Sequence, residues 1–153
     1  MPITKLISAA LALSALGACA TASSAQEQLE TANLDKAIWC MNVIEVELDL
    51  DTAARECIAD GYIQHSQHVP DGKDGFLTYF AGRIEQFPQM HAEIKRSGAD
   101  GDLVWLHTHF KAEPDVRGTA VINIFRMEDG KLAEHWGAGQ PVPETSVHGN
   151  DMF

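Results

Sequence analysis

Asp129-Gly130 sits between two short apolar runs within Phe125–Trp136. An Asp-Gly pair in that setting is the strongest short-range signal for a two-residue hairpin, because both central positions need positive φ. A hairpin fixes register, so the neighbouring segments must form a sheet that continues it. Two more extended segments precede it, at about residues 90–97 and 103–112. The hairpin strands themselves span about 118–127 and 132–139. Turns at Gly98–Asp102 and Pro114–Gly118 separate the strands. Upstream, Leu34, Ala37, Ile38, Met41, Ile44 and Leu48 recur at helical spacing, which predicts a helix over 31–49 with Asp35, Lys36, Asn42 and Glu45 mostly on its polar side. Asp51 is placed to cap a second helix over 52–58, and residues 76–87 form a third, closed by Pro88. Three helices followed by an antiparallel meander define an α+β plan. The curved sheet would wrap the helices and enclose a pocket.

The first 25 residues read as an export segment. Met1–Lys5 is weakly positive, and the apolar run from Leu6 to Leu16 is too short to span a bilayer comfortably. Leu16-Gly17-Ala18-Cys19 resembles a bacterial lipobox in which Cys19 would carry a lipid. Ser23-Ser24-Ala25 offers an ordinary cleavage site instead. Both readings lead to an exported protein, periplasmic or an envelope lipoprotein, with membrane contact only through a lipid on Cys19. Residues 31–153 form the single domain. With 22 acidic against 11 basic residues, the net charge of −11 argues against nucleic acid and anionic membrane surfaces as partners. Cys40 and Cys57 either pair in an oxidising compartment or stay as buried thiols.

Strand alternation offers a candidate pocket wall. In residues 104–110, Trp105, His107 and His109 share one face; Val104, Leu106, Thr108 and Phe110 share the other. Both faces are substantially apolar, so alternation alone does not say which is inward. In the next strand Asn123 and Phe125 alternate with Ile122 and Ile124. In the last, the reading turns Glu134 and Trp136 inward and His135 outward.

The chain at this point resembles SnoaL-like proteins of the nuclear-transport-factor-like superfamily. The motifs are Tyr62-Ile63-Gln64-His65-Ser66, Val69-Pro70-Asp71-Gly72-Lys73-Asp74-Gly75-Phe76, Asp102–His107, the Phe125–Trp136 hairpin, Gln140-Pro141-Val142-Pro143 and the Gly149–Phe153 tail. The resemblance implies a cone-shaped α+β fold with a deep apolar pocket, commonly a homodimer through the sheet. Relatives include polyketide cyclases, ketosteroid isomerases, dehydratases and epoxide hydrolases, which use acid/base chemistry without a cofactor. Two departures stand out. The subgroup usually reads Glu-His-Trp-Asp in the last strand, where this chain has Gly137. A carboxylate common in the preceding strand is Asn123 here.

The resulting expectation is proton transfer next to the carbonyl of a small apolar molecule, giving isomerisation, aldol-type cyclisation or elimination. His107 or His109 would be the base, and Glu134 or His65 the acid partner. Trp105, Asn123, Phe125, Trp136 and Ile63 would wall the pocket. Glu134 either faces the pocket with a raised pKa or pairs with Arg126 or Lys131. His65, His107 and His109 could supply three zinc ligands, but no carboxylate is placed to orient them. The expectation is therefore no metal and no cofactor. The alternative is a non-catalytic protein that binds a small apolar ligand in the cell envelope.

Overall fold

The computed structural model describes the backbone from Ser8 to Phe153 and side chains from Ser24 onward. The expectations for Met1–Lys5 and for a lipid on Cys19 lie outside the described residues. The first helix, α1, spans Ser8–Glu45. Beyond it, Leu48 takes φ 57°, and the Asp49 N–H reaches back to the Val43 carbonyl at 3.0 Å. Asp49, not Asp51, then caps the short α2, Leu50–Thr52. Its carboxylate accepts from the Thr52 N–H at 2.9 Å and the Thr52 hydroxyl at 2.7 Å. The second predicted helix is thus one turn followed by a π-turn, Ala53–Cys57. Strand β1 is Ile58–Gln64, and α3 runs Gly72–Gln86, starting before the predicted Phe76. Then come β2 (His91–Asp100), β3 (Leu103–Lys111), β4 (Thr119–Glu128) and β5 (Lys131–Pro141). Among the described residues, no helix is long and apolar enough to cross a membrane.

The sheet order is β1-β5-β4-β3-β2. Strands β2 to β5 form the predicted antiparallel meander. Asp129 and Gly130 take φ 49° and 72°, the two positive values that the Asp-Gly hairpin requires. The expected all-antiparallel sheet is corrected at one edge, where β1 pairs in parallel with β5. A parallel partner needs a long crossover, and the segment containing α3 begins it. The sheet is curved, unclosed and mixed, with helices packed on its concave face.

Register decides which residues face the helices, because directly paired residues share a face. Val104 pairs with Phe125, and Phe125 with His135; Leu106 pairs with Asn123, and Asn123 with Gly137. Val104 and Leu106 are fully buried under the helices. That fixes Asn123, Phe125, His135 and Gly137 on the concave face. Trp105, Ile124 and Trp136 pair in the other row and lie on the convex face. The aliphatic row wins the interior because it asks nothing of its neighbours, whereas two buried imidazoles would need partners for their ring nitrogens. Ala37, Met41 and Ile44 of α1 and Phe76 of α3 complete the core. Of the two alternatives for the thiols, the structure has the Cys40–Cys57 disulfide, tying α1 to the turn before β1.

Candidate active site

A cavity of about 190 Å³ opens between the end of α1, α3 and the concave face of the sheet. Its wall combines apolar side chains such as Met41, Ile44, Phe76 and Phe80 with converging polar groups, as a small-molecule site requires.

Glu45 is the acid of this cavity. It is the last residue of α1 and lies four residues after Met41, so it continues the buried stripe rather than the polar face assigned to it from spacing. Burial pushes its carboxyl up to about 7, and the Arg83 guanidinium pulls it part of the way back. Arg83 comes from the cavity face of α3, seven residues after Phe76. It donates to the Tyr79 hydroxyl at 3.3 Å and lies 4.9 Å from the Phe110 ring centre.

Across the cavity, a chain of polar side chains joins β1, β5, β4 and β3. The Asp71 carboxylate accepts from the Gln64 backbone N–H at 2.8 Å and secures the end of β1. Gln64 Oε1 accepts from the Ser66 N–H at 2.9 Å and lies 2.8 Å from His135 Nδ1. Gln64 Nε2 donates to the Tyr62 hydroxyl at 3.2 Å. Since Gln64 Oε1 already accepts from a backbone amide, His135 Nδ1 must carry the proton it shares with that oxygen. His135 also stacks on Phe125 at 4.8 Å, and burial lowers its pKa to about 4. The ring is therefore neutral at physiological pH, and Nε2 holds a lone pair. Nε2 lies 3.1 Å from Asn123 Oδ1, while Asn123 Nδ2 lies 3.2 Å from the Thr108 hydroxyl. Two acceptors do not bond. Pairing is complete with the Asn123 amide turned over, its NH₂ donating to Nε2 and its oxygen accepting from Thr108.

The consequence falls on Tyr62. Its oxygen accepts from Gln64, so its own proton is free to point into the cavity. Burial raises its pKa and keeps it a phenol. Gly137 leaves the His135 ring room in this arrangement. A Cβ there would lie 3.0 Å from His135 Cε1, so the ring occupies space beside the position where the subgroup carries Asp.

The sequence-predicted residues divide by face. Asn123 and Phe125 line the cavity. Trp105, His107 and His109 do not: they project from the convex face. His109 donates to the Arg117 carbonyl at 2.7 Å, and Phe153 stacks on His109 and His107 with ring centres 4.3 and 5.4 Å away. Ile63 is 42% exposed on the convex side of β1. His65 and Trp136 stack at 4.9 Å on that same face. Glu134 is the reverse of a buried acid: it accepts from Arg126 Nε at 2.9 Å and from His65 at 2.8 Å. Arg126 first and His65 second hold its carboxyl below the usual range. The inward Glu134 and Trp136 and outward His135 of the sequence reading are thus exchanged, because β5 follows the parity of Phe125. His65 is separated from His107 and His109 by β5 and β4, so the three do not converge. Among the described residues, no group of three His, Cys, Asp or Glu side chains could hold a metal.

Fold and site together define a cone-shaped α+β domain with an acid-bearing apolar cavity. The profile of the SnoaL-like domain matches residues 44–135, and the chain belongs to that family. No protein of curated function matches the sequence. Among solved structures, a cystatin-fold protein from Novosphingobium aromaticivorans is 23% identical with a TM-score of 0.61, over 69% of this chain and 97% of that one. TsrD from Streptomyces laurentii is 18% identical with a TM-score of 0.60, over 72% and 90%. A candidate polyketide cyclase from Bacillus cereus is 18% identical with a TM-score of 0.59, over 71% and 74%. At these identities the likeness is one of fold.

Proposed function

We propose that this chain is a cofactor-independent enzyme that moves a proton next to the carbonyl of a small, largely apolar molecule, leading to isomerisation, aldol-type cyclisation or elimination. The observation that carries this reading is Glu45, a carboxyl in an apolar cavity with its pKa near 7. Such a group takes and returns protons efficiently near neutral pH. Glu45 removes the α-proton, the carbonyl oxygen gains enolate character, and the Tyr62 O–H donates to that oxygen. Gln64 and His135 act on Tyr62 as positioning residues. Family membership supports the reaction class.

The test is solvent deuterium exchange at the α-carbon of small cyclic ketones, followed by NMR. The wild-type protein is expected to catalyse exchange on at least one of them, and Glu45→Gln to lose it. A Glu45→Gln protein that exchanges as fast as wild type overturns the assignment. The second reading, ligand carriage without chemistry, draws on Gly137 and Asn123 standing where the subgroup carries acids; a ligand that copurifies and is returned unchanged would favour it. The Cys40–Cys57 bond supports export to an oxidising compartment. The exposed Trp105, Ile122 and Ile124 on the convex face support a homodimer through the sheet, to be checked by light scattering.

A further inference from the structure

The chemistry assigned to Glu45 and Tyr62 leaves Arg83 without a task. Its guanidinium sits among aromatic rings, with centres at 4.9 Å (Phe110), 5.7 Å (Tyr79) and 5.8 Å (Phe87). Its hydrogen bond to a protein acceptor is the one to the Tyr79 hydroxyl. Among the described residues it makes no ion pair, in a chain with twice as many acidic as basic residues. Arg117 and Arg126 have carboxylate partners, whereas Arg55 and Arg96, like Arg83, have none among the described residues, and of these three only Arg83 lines the cavity. Arg83 acts on Glu45 through its field, without a hydrogen bond. A guanidinium offers five donors in a planar fork that fits a carboxylate on two bonds, and it stacks favourably on aromatic faces. Donors not spent on Tyr79 can serve a ligand in the cavity that Arg83 lines.

Size narrows the occupant further. A dry cavity of about 150 Å³ is enough for benzene. At about 190 Å³ this one has room for a six-membered ring and a small substituent. We infer that Arg83 and Tyr79 form an anion subsite, and that the cavity takes a single-ring molecule bearing a carboxylate. This inference rests on the cavity being the ligand site of the proposed function. The carboxylate would dock on Arg83, leaving a carbonyl on the ring for Tyr62 and its α-carbon for Glu45.

The test compares benzoate with benzamide, a neutral probe of the same shape, by titration calorimetry on the full domain. The wild-type protein is expected to bind benzoate at least tenfold more tightly. Arg83→Gln should abolish the preference while leaving benzamide affinity in place, and Arg83→Lys should restore part of it. Equal affinity for the two probes, no binding of benzoate at millimolar concentration, or a preference that survives Arg83→Gln overturns the subsite. The same wild-type protein separates this from the acid/base reading. Deuterium exchange without benzoate preference leaves the chemistry and removes the subsite; preference without exchange does the reverse.

Discussion

The two faces of one sheet carry similar residue types and do different work. On the concave face, His135 is bonded at both ring nitrogens, and its neighbours Asn123, Gln64 and Tyr62 are each tied to another side chain. On the convex face, His65, His107 and His109 lie against rings, a carboxylate or a backbone carbonyl at the edge of solvent. Burial is what separates them. It forces the inner groups into a single hydrogen-bonding solution and shifts the protonation of Glu45 and His135, while the outer groups can share their hydrogen bonding with water. A histidine-rich face is therefore weak evidence of a site, and one acid beneath a helix end is stronger evidence.

The largest expected effect is catalytic. Tyr62→Phe should lower the exchange rate by about 10²-fold, the scale of losing one oxyanion donor. The convex-face double variant His107→Ala/His109→Ala should stay within about twofold; a comparable loss there would erase the contrast between the faces.

Packing gives the next contrast. Phe125→Ala should cost about 3–5 kcal/mol in denaturant melts, because Phe125 is 4% exposed in the core. Ile124→Ala, one residue along and 36% exposed, should cost about 1 kcal/mol or less. Equal losses would mean that the convex face is covered, as in a dimer.

Protonation offers a third. Glu45 has its folded pKa raised to about 7, so it destabilises progressively as pH rises from about 4.5 to 7 and not at all below that window. His135 has its folded pKa lowered to about 4, so it destabilises as pH falls from about 6.5 to 4 and not above. Each full effect is about 3 kcal/mol. Between pH 4.5 and 6.5 the two slopes oppose each other. Tm should therefore fall more steeply on acidification in Glu45→Gln than in wild type, and should rise relative to wild type in His135→Gln. Parallel Tm profiles in all three proteins would show that neither group is perturbed.

Gly137→Asp would bring an anion beside His135 and should raise its pKa by at least one unit in an NMR titration. The smallest effect belongs outside: Glu134→Gln should leave Tm close to wild type, since its partners Arg126 and His65 are partly exposed.

The turn at Asp129-Gly130, the four meander strands and the helical stripe of α1 are all legible in the sequence, because each follows from local periodicity or turn chemistry. The parity of the sheet is not. It depends on which of two apolar rows the helices cover, and Val104, Leu106 and Thr108 beat Trp105, His107 and His109 only once partners for the ring nitrogens are counted. A pocket drawn from Trp105, Trp136 and Ile63 together with Phe125 mixes two rows that the register keeps apart. Glu45 and Arg83 were visible as polar residues at i+4 from Met41 and i+7 from Phe76, on otherwise apolar stripes. Polar exceptions on a buried face were the signal, and exposed histidines obscured it.

The parallel edge strand has a consequence for how the molecule comes into being. β1 is made early, but its partner β5 lies about 70 residues later, and the Gln64–His135 bond spans a separation of 71. During synthesis from the N-terminus, the strand holding Tyr62 and Gln64 waits with an open edge until the final hairpin emerges, and pairings of such long range form slowly. The last join in the sheet is also the one that aims the Tyr62 proton. An unfinished chain can thus have its helices and β2 to β4 in place and still lack the His135 wall of the cavity, so a complete cavity becomes the record of a completed fold.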